Sequence, residues 1–341
     1  MKCGTRRELK ASYRSRLTEC MVTVIAAADE ELHAPAAAAH WQESYYFNWV
    51  DVGGDALGFA RLGYRFAERQ ADAVVITMRG GRRELVYGAV DQPIVGDPLA
   101  LRCADGLTVG RLTFRCDEPL RQWRITLSGR NEIDLTWTAL APAFDFGHNG
   151  TEVIAQRHFE HPGAVAGRSV IRGRHQQISG FGTRDKSWGP RDWGNIAGWD
   201  WISAQFGADL AFTVTQTTAD SQPVQSGFVS RNGRSRGVAS FNLGYVSRGA
   251  HSARDAELTI VDDEGTSIEV TARGISQVPL FKSGLMLHET HARFDARVQD
   301  GPLLHGAGVL EHTWHAGRRE LLKRLPALLP VVKDATVSRL R

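Results

Sequence analysis

Residues 180–201 read GFGTRDKSWGPRDWGNIAGWDW, and how this stretch is read decides the fold. It holds Trp188, Trp193, Trp199 and Trp201, four of the nine tryptophans in the chain. Beside them stand Lys186 and two Arg-Asp pairs, Arg184–Asp185 and Arg191–Asp192. In extended backbone, successive side chains alternate between faces, so Arg184, Lys186 and Trp188 share one face and Asp185 and Ser187 the other. A cation and an indole on one face suit cation–π packing or a lined cavity. The same residues also read as structural ion pairs that pin a domain junction, and both readings can hold for different members. Further along, Trp199, Trp201 and Ser203 alternate with Ile202 and Ala204, again the period of a half-buried strand.

That period extends in both directions. Upstream, Leu62, Tyr64 and Phe66 alternate with Gly63 and Arg65, and the runs 73–78 and 84–87 flank Gly80-Gly81, a hairpin turn. Trp123, Ile125 and Leu127, then Ile133, Leu135 and Trp137, repeat the pattern. Downstream, Leu210, Phe212 and Val214 do the same, and Asn232-Gly233 and Asp263-Glu264-Gly265 mark turns between further strands. Many short strands with frequent turn residues imply barrels or sandwiches. The exception is the C-terminus, where Leu321, Leu322, Leu325, Leu328 and Leu329 recur at helical spacing while Pro326 and Pro330 limit the length. A short amphipathic helix over 316–325, packed on the last barrel, is expected. At 341 residues two domains are the default. The seam is placed so that residues 41–170 form one β domain and 171–315 the second. Residues 1–40 are then an N-terminal extension, partly disordered, with a short helix near 22–33, and 316–341 a helix and tail. Met21 reads as the natural start, because the basic residues before it and the short apolar run 21–28 make a poor signal peptide.

Lys and Arg number 41 against 38 Asp and Glu, a near-balance that lacks the basic footprint of a nucleic-acid binder. No apolar run approaches the roughly 18 residues of a membrane span. Cys3, Cys20, Cys103 and Cys116 form no C-x-x-C pair, which favours free thiols and a cytoplasmic location, although Cys103 and Cys116 could face each other across a hairpin.

The segment GFGTRDKSWGPRDW resembles the RDHSWG-R-DW signature of the hydroxyneurosporene synthase (carotenoid 1,2-hydratase) and AttH-like superfamily. Supporting pieces are Trp41-Gln42-Glu43-Ser44-Tyr45, Pro119–Arg124, His158-Phe159-Glu160 with Gly163 and Gly167, and Gly308–Trp314. The resemblance covers about residues 40–315. It implies an all-β chain of two consecutive lipocalin-like, calycin-type domains with an apolar ligand cavity near their junction. It further implies water addition to, or cyclisation of, isoprenoids and polyenes without a cofactor. Lys186 stands where the hydratases carry the His of a His-x-Trp pair, and their later Tyr-x-Asp pair has no counterpart around residues 210–217.

Protonating an unactivated alkene needs a strong acid, which desolvation can keep protonated, and aromatic faces to stabilise the carbocation. On this reading Asp185 is the acid, Lys186 orients the substrate electrostatically, and Trp188 is a wall that stabilises positive charge. Arg184, Arg191, Asp192, Trp193, Trp199, Trp201, Tyr45 and Glu43 complete the binding site. The function expected is a cofactor-independent lyase, isomerase or cyclase on a hydrophobic, terpenoid- or polyene-type molecule. The alternative is a non-catalytic carrier of a lipid or polyene. Homodimerisation is left open. Three H-x-x-H pairs (His158/His161, His288/His291, His312/His315) fall in strands, where i and i+3 point to opposite faces, so no metal site is expected. Gly53-Gly54 and Gly80-Gly81 do not lead into helices, and neither a dinucleotide loop nor a G-x-S-x-G elbow occurs.

Overall fold

A computed structural model describes residues 25–35, 40–51, 53, 55–147, 155–191, 193, 196–219, 222–246 and 253–340. Among the described residues the alternating pattern becomes nineteen strands. The first eleven are β1 (Trp41–Asp51), β2 (Ala56–Arg65), β3 (Gln70–Arg79), β4 (Arg82–Pro93), β5 (Leu107–Val109), β6 (Leu112–Glu118), β7 (Gln122–Leu127), β8 (Glu132–Ala139), β9 (Phe144–Asp145), β10 (Arg157–Ile171) and β11 (Arg174–Pro190). The others are β12 (Gly198–Gln205), β13 (Leu210–Ala219), β14 (Gln222–Arg231), β15 (Arg234–Tyr245), β16 (Asp255–Asp262), β17 (Ser267–Lys282), β18 (Leu285–Val298) and β19 (Leu303–His315). One α-helix, α1 (Arg318–Leu340), follows.

β1–β11 form one antiparallel sheet in the order β4-β3-β2-β1-β11-β10-β8-β7-β6-β5, with β9 paired to β10. The sheet curls on itself until β3 approaches β5 and β6. Phe47 of β1 meets Phe114 of β6 with ring centroids 5.0 Å apart, and Trp123 and Trp137 fill the space beside them. β12–β19 close into an eight-stranded antiparallel barrel sealed by β12 against β19. Its core is Ile202, Phe212, Val214, Ile260, Phe294 and Leu310. The all-β, two-barrel architecture is thus as the sequence implies.

The change of sheet does not fall at 170/171. That position lies at the tip of the β10–β11 hairpin, and β11 pairs with β1 along Trp41↔Pro190 to Asp51↔Gly180. The chain crosses between Pro190 and Gly198. Pairing of β11 with a strand some 140 residues earlier is a long-range choice that no local pattern records. Gly180 and Gly182 permit it, since a Cβ at either would sit 1.8 Å from the Val50 carbonyl oxygen or 1.9 Å from that of Asn48.

The helix also departs from expectation. It runs through Pro326 and Pro330 to Leu340, and it bridges the two sheets rather than resting on the last barrel alone. Leu328 packs with Met286 and Trp314, while Val331 joins Met78, Val86 and Val278. Both prolines lie on the exposed side, so the missing N–H groups cost less than in a buried helix, and the apolar burial offsets the rest. Of the N-terminal extension, residues 27–30 form a single 3-10 turn, shorter than the helix expected over 22–33. Glu30 and Leu32 are buried in the first unit, so this part of the extension belongs to its core. The expectations for residues 1–20 and for the start at Met21 lie outside the described residues.

Candidate functional site

β1, β10 and β11 lie side by side, and their alternation sorts the chemistry-bearing side chains onto two faces. Facing the interior of the first unit, the Arg184 Nη1 donates to Glu30 Oε1 at 2.8 Å, and its other terminal nitrogen pairs with Glu30 Oε2. The guanidinium lies 4.9 Å from the Trp123 ring. Lys186 Nζ pairs with Glu43, whose Oε1 is also 2.7 Å from His33 Nδ1. His33 stacks on Trp188 at 4.1 Å, and Lys186 sits 4.2 Å from the Tyr45 ring. Burial pushes Glu30 and Glu43 upward in pKa, but Arg184 for the first and Lys186 with His33 for the second outweigh it, so both stay ionised. Arg184, Lys186, Glu30 and Glu43 are wholly buried. This face holds buried ion pairs in an aromatic core, with Arg184 Nε left without a hydrogen-bond partner.

The opposite face meets the second barrel. Here His158 Nε2 is 2.9 Å from Asp185 Oδ2 and 3.1 Å from Glu160 Oε1. The Trp201 indole donates to Glu160 at 2.8 Å. Ser187 Oγ donates to Asp185 at 3.2 Å and accepts from Arg191 at 2.8 Å. From the barrel side, Glu289 of β18 and Glu311 of β19 stand directly opposite one another in register. The Tyr46 hydroxyl donates to Glu289 at 3.2 Å, and the Trp199 indole donates to Glu311. Tyr46 also meets Trp201 edge-on at 5.7 Å. Arg61 reaches the same cluster, close enough to interact with Asp185 and Glu311. Gly63 leaves it room, because a Cβ there would come within 2.6 Å of the guanidinium.

The electrostatics of this face are unequal. Burial works against a charged His158, yet Asp185 and Glu160 outweigh it and raise the imidazole to about 10. Asp185 is pushed up by burial but brought lower overall by His158, so it is a carboxylate. Glu160 is raised by burial in spite of His158. Glu311 is raised to about 7 by burial, with Asp185 adding repulsion. Glu289 is raised well above its ordinary value, by burial and then by Glu311. The seam therefore holds two carboxyls that burial makes weaker acids than usual, beside aromatic rings and a fixed ion pair.

The residues singled out in the sequence are thus divided. Asp185, Arg191, Trp193, Trp199 and Trp201 gather at the junction, where Trp193 and Trp199 lie 5.9 Å apart. Lys186, Trp188, Arg184, Glu43 and Tyr45 belong to the interior of the first unit, behind the strands, and do not share a pocket with Asp185. The alternation that the sequence displays is itself the cause. Asp185, expected to be the acid, pairs with His158, which lowers its pKa. Asp192 lies outside the described residues. Two clefts of the described surface lie elsewhere, one under Trp49, Met78 and Ile178 and another over Thr259, Thr271 and Leu303. At the junction the tryptophans form a packed wall whose rim reaches solvent, with Asp185 22% and His158 13% exposed.

His158, Glu160, Glu289 and Glu311 were not among the sequence candidates. Glu289 and Glu311 share the phase of the exposed outward barrel positions Arg293 and His305. Only the packing of the first sheet against that face buries them. His158 and His161 do point to opposite faces. The ligand atoms of His158, Glu160 and Asp185 nevertheless lie within 4.8 Å of one another, a spacing that would also admit a divalent ion.

The fold is shared with solved structures of low sequence identity. A putative AttH from Nitrosomonas europaea superposes with a TM-score of 0.60 at 17% identity, covering 87% of this chain and 98% of its own. CghA bound to Sch210972 gives 0.62 at 14%, covering 82% and 89%. Kievitone hydratase from Nectria haematococca gives 0.59 at 10%, covering 87% and 94%. These likenesses support the AttH-like, lipocalin-type fold named from the sequence. No functionally curated protein matches the chain. Residues 26–316 match the family described as DUF7064, a domain of unknown function, and the chain belongs to that family.

Proposed function

We propose that the chain is a cofactor-independent proton-transfer enzyme of the hydratase, isomerase or cyclase type. Its substrate is an apolar, terpenoid- or polyene-type molecule taken at the junction of the two barrels. The observation that carries this reading is the opposed, desolvated carboxyl pair Glu289 and Glu311 beside Tyr46, Trp199 and Trp201. A desolvated carboxylic acid is the general acid that an alkene requires, and indole and phenol faces stabilise the cation that forms. Glu311 gives its proton to an alkene carbon, leaving a carboxylate and a carbocation. In hydration, water adds its oxygen to the cation and returns a proton to Glu311; in isomerisation, an adjacent C–H returns it. Asp185, held as a carboxylate by His158, stabilises positive charge across the seam. Lys186, Trp188, Arg184, Glu43 and Tyr45 act from behind, by fixing β11 and β1. Trp193 stands at the rim, and buried Arg191 holds Ser187 beside Asp185. The fold likeness to a protein named as a hydratase supports the reaction class.

The test is mass spectrometry of a terpenoid and polyene panel incubated with the protein in heavy water. Deuterium in a product, lost in Glu311→Gln, is the expected result. A ligand retained in native mass spectrometry with no product, in wild type and variant alike, would replace the enzyme by a carrier.

A further inference from the structure

α1 is apolar on two sides. Its packed side presents Leu321, Leu328 and Val331 to the barrels. Its outward side presents Leu322, Leu325, Leu329 and Val332, spaced 3, 4 and 3 residues apart and therefore aligned in one stripe. Leu322 is 64% exposed and Leu329 and Val332 are each 60% exposed. A helix docked on one side normally turns polar residues outward, and a second apolar stripe marks a second contact.

Charge says what that contact is. Arg318, Arg319, Lys323 and Lys333 are exposed on the same helix. Its two acids are neutralised toward the body, Glu320 by Arg324 at 2.9 Å and Asp334 by Arg83 at 3.5 Å. We propose that the outward face of α1 docks on an anionic lipid surface, with Leu322, Leu325, Leu329 and Val332 entering the headgroup layer and Arg318, Arg319, Lys323 and Lys333 pairing with phosphates. Leucines between cations suit a helix lying in the plane of an interface. Two copies of this face would repel each other. A nucleic-acid groove would place stacking aromatics, not leucines, between its cations. The helix is not long and apolar enough to cross a membrane, and none of this requires crossing. Docking is independent of the chemistry at the junction, and its test reads binding alone.

The full chain is sedimented with vesicles of phosphatidylcholine alone and of phosphatidylcholine with phosphatidylglycerol. The expected result is binding at least about tenfold stronger to the anionic vesicles, weakened several-fold at about 0.5 M salt. Leu322→Gln with Leu329→Gln lowers that binding at least about tenfold. Lys323→Glu with Lys333→Glu, at exposed positions that leave the thermal melt unchanged, lowers it as well. The proposal is overturned by absence of binding to anionic vesicles, or by equal binding of the charge-reversed variant. It is also overturned by stronger retention on duplex DNA, or by a dimer in light scattering that the leucine replacements abolish.

Discussion

Glu289 and Glu311 oppose each other across the β18–β19 ladder, and each accepts a hydrogen bond from an aromatic side chain, Tyr46 and Trp199 respectively. Like charges this close cannot both ionise, so burial and repulsion together retain protons that water would take. The sign of the stability effect follows. Glu311 rises from 4.5 to about 7, so between those values the unfolded chain has lost a proton that the native chain keeps. Native stability therefore falls as pH rises from 4.5 toward 7, by about 3 kcal/mol for this group. Glu311→Gln should abolish turnover by at least about a hundredfold. It should raise the melting temperature at pH 8 and leave it unchanged at pH 4. Calorimetry at the two pH values checks this, and a lower melting temperature at pH 8 would show Glu311 to be ionised and stabilising.

The His158–Asp185 pair titrates in the opposite sense. With its imidazole raised to about 10, His158 is a cation at neutral pH. Its contribution to stability is full below the ordinary histidine value and is lost as pH rises toward 10. Asp185→Asn removes the main opposing charge, so burial then dominates and the histidine should titrate well below its wild-type value. A cost of about 2 kcal/mol is expected for leaving one member of this partly exposed, charge-assisted pair behind. The imidazole proton resonance followed from pH 5 to 10 reads the titration directly. An unchanged midpoint in Asp185→Asn would assign the raised value to Glu160 instead.

Glu30 ties the segment before β1 into the first unit through Arg184, and also accepts from the Leu120 backbone N–H at 2.7 Å. Glu30→Gln should cost about 3–5 kcal/mol, because it leaves the Arg184 guanidinium buried among Trp123, Trp137 and Phe159 without its carboxylate. Replacing the pair together by Glu30→Leu and Arg184→Met should recover much of that loss. Denaturant midpoints of the single and double variants decide the matter. A single variant as stable as wild type would mean that the segment carries no weight.

Much of the β architecture was legible because a two-residue period needs no long-range information, and Trp123–Leu127 or Leu210–Val214 display it without interruption. The division of Arg184, Lys186 and Trp188 from Asp185 and Ser187 was legible for the same reason. What each face meets was not. Lys186 finds Glu43 across one strand pairing, while Asp185 finds His158 across another, and both pairings depend on registers set far away in the chain. The site acids lay hidden because Glu289 and Glu311 occupy positions that a lone barrel would give to water. The length of α1 was misjudged from Pro326 and Pro330, which end helices only where nothing compensates for the missing hydrogen bonds.

Trp201 separates two roles that the junction combines, since its indole N–H donates to Glu160 while its ring meets Tyr46 edge-on. Trp201→Phe keeps an aromatic face and removes the donor. One oxygen of buried Glu160 already has no partner, so losing the indole should raise its pKa further and cost about 1–3 kcal/mol of stability. If the ring is what stabilises a cationic intermediate, product formation from an apolar substrate should survive in Trp201→Phe and fall at least about tenfold more in Trp201→Ala. Relative rates of the two variants at one pH, each corrected for folded fraction, measure the difference. Equal loss in both would assign the contribution of Trp201 to its hydrogen bond with Glu160.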